Sequence, residues 1–212
     1  MRAIVETVRR HGLAAQVCAV IANEADAPGL AWASQRGLEV EVLSHRAYAS
    51  RNEYDAALAQ RVDAYRPHYV LLAGFMRVLT PGFVAAYQGR LLNIHPSLLP
   101  AFPGLRTHES ALAAGVQWHG CTVHFVTPEV DCGPIVAQGA VPVLDGDTAD
   151  QLAARVLRME HEVYAEVVRW LAEGRVALKE GRVRVRGIAR RSFVMAPDAA
   201  GGNDAINKGG YE

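Results

Sequence analysis

Short, almost unbroken apolar runs alternate with helix-length stretches through the first half of the chain, which limits the fold to strands covered on both faces and wound with helices. Residues 16–22 (QVCAVIA) form the first such run. A helix is expected over 27–35, with Pro28 near its start and Gly37 just past its end, the usual placement of these two residues. Residues 38–43 read as a second strand. In 51–65, Tyr54, Leu58, Val62 and Tyr65 recur at spacings of three and four, the stripe of an amphipathic helix. Residues 69–73 (YVLLA) read as another buried strand, a short helix opens at Pro81, and 90–94 (RLLNI) supply one more strand. Strand–helix alternation of this kind predicts an α/β protein with a Rossmann-like, mostly parallel sheet.

The pattern changes after residue 120. Residues 121–126 and 135–143 alternate apolar and polar side chains across a turn containing proline and glycine, as antiparallel strands do. Asp147 or Thr148 is placed to cap a helix whose apolar face is Leu152, Val156, Met159, Val163, Val167 and Trp170, and Gly174 ends it. Residues 175–185 read as a hairpin around Glu180 and Gly181. The stretch 196–212 has no apolar period and is expected to be a disordered tail, leaving residues 1–195 as a single domain without repeats or a linker.

Charge and cysteine content narrow the function. Twenty-two basic residues balance twenty-two acidic ones, so no net field draws the chain to nucleic acid or to an anionic membrane. Cys18, Cys121 and Cys132 have no CxxC or CxxH spacing, so no zinc or haem signature is present, and no metal is expected. The opening MRAIVETVRRHG has no long apolar stretch, and no uncharged run approaches a membrane span. A cytoplasmic protein with reduced thiols is expected. Nothing in the sequence sets an oligomeric state.

The residues richest in chemistry lie in NIHPSLLP, at the carboxyl end of the strand expected over 90–94, where open parallel sheets bind ligands. Asn93 and His95 are two residues apart, so an extended chain points both to one side. Pro96 keeps His95 out of helical geometry. Asp131 sits in the Val130, Asp131, Cys132, Gly133, Pro134 turn, where an acid is able to tune an imidazole. An amide and an imidazolium are suitable donors to an oxygen gaining charge at an acyl carbon, and a neighbouring carboxylate favours the charged ring, so the trio suits acyl transfer. A second arrangement, with Cys121 or Cys132 as nucleophile and His95 as base, suits covalent catalysis; direct attack by a substrate amine needs no protein nucleophile and is the simpler account.

These residues stand in four ordered motifs, VLLAGFMRVL, GRLLNIHPSLLPAFPG, HGCTVHFVTPEVDCGPIV and RVLRMEHEVY, and by them the chain resembles the phosphoribosylglycinamide formyltransferase family from its start to about Trp170. The resemblance implies transfer of a formyl group from 10-formyltetrahydrofolate to the amine of glycinamide ribonucleotide in de novo purine biosynthesis. It assigns catalysis to Asn93, His95 and Asp131. It assigns folate binding to Arg51 and to Met76, Arg77, Val78 and Leu79, the last four largely through backbone groups, with Asn93 also at the folate. Glu160 matches a residue that contacts the nucleotide ribose. The implied partners are therefore two small molecules, and the implied mechanism is attack of the uncharged amine on the formyl carbon, followed by proton movement to the departing N10 of the folate.

The chain departs from the family at its beginning. Family members open with an extra strand and a glycine-rich GxGSN-type loop, whose amides bind the nucleotide phosphate at a helix N-terminus. Residues 2–10 resemble the interior of the helix that follows such a loop. A start codon assigned too far downstream explains this better than a true truncation, because a sheet lacking an inner strand exposes apolar surface and unpaired backbone. Cys132 stands where glycine is usual, and Pro128 where an acid is usual. Formyltetrahydrofolate hydrolase and a methionyl-tRNA formyltransferase are the nearest rival enzymes, and HPSLLPAFPG argues against both. A noncatalytic folate or nucleotide binder is the rival of a different class. His108, His119, His124 and His161 show no ligand spacing and are read as structural, and Arg182, Arg184, Arg186, Arg190 and Arg191 as a solvated basic face.

Overall fold

The computed structural model describes residues 1–196, so the expected disordered tail lies, apart from Ala196, outside the described residues. Helix α1 (Arg2–Arg10) leads to strand β1 (Val20–Ala22), helix α2 (Pro28–Ser34) and strand β2 (Val40–Val42). Helix α3 (Arg51–Ala64), β3 (Val70–Leu72), α4 (Pro81–Ala86) and β4 (Leu91–His95) continue the alternation. Then come α5 (Thr107–Ala113), β5 (Trp118–Phe125), β6 (Ile135–Pro142) and the long α6 (Ala149–Ala172). A hairpin of β7 (Val176–Lys179) and β8 (Arg182–Val185) and a short β9 (Ser192–Val194) follow.

The helix boundaries follow from local chemistry. Ser50 accepts the Glu53 amide at 3.2 Å while the Glu53 carboxylate accepts the Ala49 amide at 3.1 Å, so two orphan donors at the start of α3 are satisfied. Thr80 caps α4 by accepting the Phe83 amide at 3.4 Å, and Thr148 with Gln151 forms a full capping box on α6. Gly174 takes φ +62° just beyond α6, a conformation that costs glycine little.

The sheet is mixed, with parallel pairing in the first half and antiparallel pairing around β5 as the sequence pattern implies, but it falls into separate ladders. A five-stranded sheet has the order β3-β4-β5-β6-β9, with β3–β4 and β6–β9 parallel and the two pairings around β5 antiparallel, while β1 pairs only with β2. The strand expected over 16–22 contracts to three residues, and that over 38–43 likewise, because backbone groups beyond the short β1–β2 ladder find no strand partner. All six residues of β1 and β3 are partly exposed, in contrast to the covering on both faces that their apolar sequences imply. Helix α5 and strand β9 have no counterpart in the sequence pattern; each is short, and neither carries a strong period. Arg191, read as part of a solvated basic face, instead donates to the carbonyls of Ile135 at 3.0 Å and Val136 at 2.9 Å and so ties the segment leading into β9 to the start of β6.

Two apolar layers cover the sheet. On one face α6 contributes Leu152, Val156, Met159, Val163 and Val167 against Leu92, Val123 and Val136. A second cluster joins Tyr54, Leu58 and Val62 of α3 to Phe83, Val84 and Tyr87 from α4 and its C-cap, and to Leu91 of β4. Tyr65, expected to continue the α3 stripe, instead donates to Glu41 at 2.5 Å. The buried Tyr164 hydroxyl of α6 donates to the Leu72 carbonyl at 3.0 Å, which fixes the end of β3 beside β4. Among the described residues no helix is long and apolar enough to cross a membrane.

Helix α6 lies directly on the backbone of Gly139 in β6, where an added Cβ would stand 2.3 Å from the Met159 Cγ. Gly139→Ala is expected to lower the unfolding free energy by about 1–3 kcal/mol, the usual cost of overpacking a dense core. Equilibrium denaturation checks this, and an unchanged midpoint would mean that α6 yields freely.

Candidate active site

Strand pairing assembles the site. Leu72 at the end of β3 pairs with Asn93 of β4, and across the antiparallel boundary Asn93 faces His124 while His95 faces Thr122. Residues opposite one another on neighbouring strands share a face, so Asn93 and His95 meet two polar residues of β5. Asp131 reaches the same place from the β5–β6 turn with φ +55°, a left-handed conformation that aspartate tolerates better than most residues. The turn is held close by Gly133, where a Cβ would lie 1.7 Å from the Phe125 carbonyl oxygen. The ladder also shifts register between Val123 and His124, a bulge at the position where β5 enters the site.

His95, 5% exposed, is held between two acceptors. Its Nδ1 lies 3.4 Å from Asp131 Oδ2, an ion-pair distance, and its Nε2 lies 3.0 Å from the carbonyl of Phe102. A backbone carbonyl only accepts, so Nε2 carries the hydrogen, and the other ring nitrogen faces the Asp131 carboxylate. Asp131 Oδ2 also accepts the Gly104 amide at 2.8 Å. The loop after β4 thus contacts both members of the pair through its main chain.

His124 belongs to this site rather than to the structural background. Its Nδ1 lies 3.0 Å from the Phe125 carbonyl and therefore carries hydrogen. Its Nε2 lies 3.5 Å from the Asn93 side-chain amide nitrogen and 3.8 Å from Asp131 Oδ1. Burial pushes His124 below the ordinary histidine range, against the opposing pull of the Phe125 carbonyl and Asp131. A neutral ring with hydrogen on Nδ1 accepts from Asn93 at Nε2, which turns the second N–H of that amide away from His124. Thr122 and His124 face the site through the pairing of β5 with β4, which no linear pattern in the sequence contains.

The thiol alternative loses its geometry. Cys121 is fully buried in the α6-side core, and burial pushes its thiol up, away from the thiolate a nucleophile requires. Cys132 is exposed and makes no side-chain hydrogen bond to His95 among the described residues. His108 and His119 stand edge-on to each other with ring centroids 5.3 Å apart. Neither nitrogen of His119 has a hydrogen bond of ordinary geometry, the nearby Pro96 carbonyl being a weak partner, and burial pushes that ring down to about 4.

The residues assigned to folate lie along the same edge of the sheet. Met76, Arg77, Val78 and Leu79 follow β3 after Ala73, Gly74 and Phe75; Met76 is 77% exposed, Val78 is 49% exposed and Leu79 is buried. Their main-chain amides make no hydrogen bond among the described residues, which leaves a row of donors open. Asp55 of α3 anchors the far end by accepting the Thr80 amide at 2.6 Å, and Arg77 lies over the Tyr54 ring at 5.2 Å. Arg51 is exposed one turn before Tyr54, the residue whose ring Arg77 covers. Glu160 is apart from the trio: it is half-buried on α6, and its electrostatic partner is the amino group at the start of α1.

Comparison with known proteins defines the class. The formyl transferase family model matches residues 1–168, and the chain belongs to that family. It is 46% identical over 187 residues to phosphoribosylglycinamide formyltransferase of Escherichia coli K12, covering 88% of each chain. The crystal structure of glycinamide ribonucleotide transformylase 1 from Symbiobacterium toebii superposes with a TM-score of 0.83 at 48% identity over 87% of each chain. Formyltetrahydrofolate deformylase from Burkholderia mallei is more distant, at 29% identity and a TM-score of 0.77, covering 87% of this chain and 64% of that one.

Burial pushes the Glu160 carboxyl up to about 7 from 4.5, with the Met1 amino group pulling the other way. The folded chain therefore retains a proton that the unfolded chain releases between these values, and stability falls as pH rises from about 4.5 to about 7. Glu160→Gln is expected to remove this loss, with a ceiling of about 3 kcal/mol above pH 7 and no gain near pH 4.5. Urea denaturation at the two extremes measures the difference.

Proposed function

We propose that this chain transfers the formyl group of 10-formyltetrahydrofolate to the amine of glycinamide ribonucleotide, a step of de novo purine biosynthesis, within a single domain spanning residues 1–195. The observation that carries the reading is the convergence of Asn93, His95 and Asp131 at the carboxyl edge of the sheet of a formyl transferase. Asn93, His95 and Asp131 are the catalytic residues. The open amides of Met76, Arg77, Val78 and Leu79 receive the folate with help from Arg51 and Asn93, and Glu160 takes the nucleotide ribose.

The chemistry follows from what the residues offer. The uncharged glycinamide amine attacks the formyl carbon, and the carbonyl oxygen gains a full charge in the tetrahedral intermediate. Asn93 supplies a neutral N–H and His95 a charged one. In the absence of substrate the His95 Nε2 hydrogen rests on the neutral Phe102 carbonyl, but an oxyanion is the stronger acceptor for a charged donor. The contact therefore strengthens as the transition state forms, and only such differential binding speeds the chemical step. Asp131 balances the imidazolium and lies beside the path by which the proton leaves the incoming nitrogen for N10.

His95→Ala is expected to lower kcat by about 100-fold to 1000-fold, the cost of losing one donor to an oxyanion, with little change in folate affinity. Steady-state assay with both substrates reads this directly. Folate binding without any transfer by the unaltered protein would instead favour a noncatalytic binder, and formate release without the nucleotide would favour a hydrolase.

A further inference from the structure

One cross-strand row carries His95 on β4, Thr122 on β5 and Gln138 on β6, each directly opposite the next. Side chains in such a row leave the sheet on one face. The latter two have no part in the chemistry above, yet Thr122 is fully buried and Gln138 partly so. Polar groups in such positions are costly unless paired, so their partners show what they are for.

Both hold the loop that follows β4. The Thr122 hydroxyl donates to the Ser97 carbonyl at 2.7 Å and accepts the Leu99 amide at 3.0 Å. Gln138 Nε2 donates to the Leu99 carbonyl at 2.9 Å and to the Thr122 oxygen at 3.1 Å. Three residues beyond Leu99, the Phe102 carbonyl meets His95, and two residues further the Gly104 amide meets Asp131. The loop backbone is strained, since Phe102 has φ +52° between these contacts and Arg106, two residues past Gly104, has φ +54°, neither being glycine. Left-handed conformations at such residues persist only where the surroundings over-determine them. The Leu99 anchor lies just upstream of that segment.

We propose that Gln138, acting with Thr122, is a positioning residue for the His95–Asp131 pair: it fixes Leu99, so that the main chain at Phe102 and Gly104 is delivered to the imidazole and the carboxylate. The inference rests on the formyl-transfer reading for its catalytic consequence, whereas the geometry it claims is measurable without that reading. Gln138 touches neither substrate nor reacting atoms in this role, so its loss degrades the alignment of donors and leaves substrate binding intact.

Gln138→Met keeps the length of the side chain and removes its donor. The expected result is a fall in kcat of about tenfold to 100-fold with both KM values within about twofold of the unaltered protein, as small misalignments of donors commonly produce. Thr122→Val is expected to reproduce the loss, and Thr122→Ser, which retains the hydroxyl, to restore kcat. Amide hydrogen exchange at Gly104 gives the readout independent of activity: faster in Gln138→Met and Thr122→Val, unchanged in Thr122→Ser. A normal kcat in Gln138→Met, or raised KM values with kcat intact, overturns the proposal, as does Gly104 exchange that ignores these substitutions. If Gln138→Met does not fold, the Thr122 pair decides, because equal behaviour of Val and Ser at that position contradicts the anchor. Failure of the unaltered protein to transfer formyl groups counts against the function alone, and Gly104 exchange then still judges the loop.

Discussion

A buried imidazole with an acceptor at each nitrogen is the constraint around which this structure is organised. His95 is nearly inaccessible, with a carboxylate 3.4 Å from one nitrogen and a peptide carbonyl 3.0 Å from the other. Charge in such a place is costly unless it is paired and hydrogen-bonded. Three separate segments must meet to pair it: the end of β4 for His95, the β5–β6 turn for Asp131, and the loop after β4 for Phe102. Each has its own support. Gly133 lets the turn approach Phe125, Tyr164 holds the end of β3 against β4, and Thr122 with Gln138 secures the loop.

The arrangement separates what must be fixed from what must yield. Asn93 and His95 lie on a paired strand, packed from below by α6 and flanked by β5, and their relative position is set by the ladder. The Phe102 carbonyl belongs to a loop and is neutral, so it holds the His95 hydrogen in place and gives way to a stronger acceptor. An oxyanion is such an acceptor, whereas a ground-state formyl oxygen is not. The folate side is built on another principle. There the chain after β3 leaves main-chain amides without a protein partner among the described residues, and Asp55 secures the segment from α3, so the recognition we propose depends on where the backbone runs more than on which side chains it carries.

Much of this was legible in the sequence, for reasons specific to each part. The apolar periods of α3 and α6 located both helices, and the capping residues Ser50 and Thr148 have the chemistry to begin them where they do. Asn93 and His95 were marked by their position after an apolar strand, and Asp131 by its turn. His124, Thr122 and Gln138 escaped because their importance comes from register across three strands, which a linear period does not contain. Helix α5 and strand β9 are too short to show a period, and they form where tertiary neighbours make room for them. Strands β1 and β3 are shorter than their apolar runs for a related reason: apolar sequence promises a covered strand, but a ladder needs partners, and each of these two strands has one.

The central claim is that Asn93 and His95 share one migrating formyl oxygen, and a crystal structure with a folate analogue bearing a hydrated ketone at the formyl position tests it most directly. The account predicts one oxygen of that group within about 3 Å of both the Asn93 amide nitrogen and His95 Nε2, with the Phe102 carbonyl no longer the nearest acceptor to the ring. An analogue bound in the cleft with its oxygen remote from His95, and the Phe102 contact intact, would contradict it.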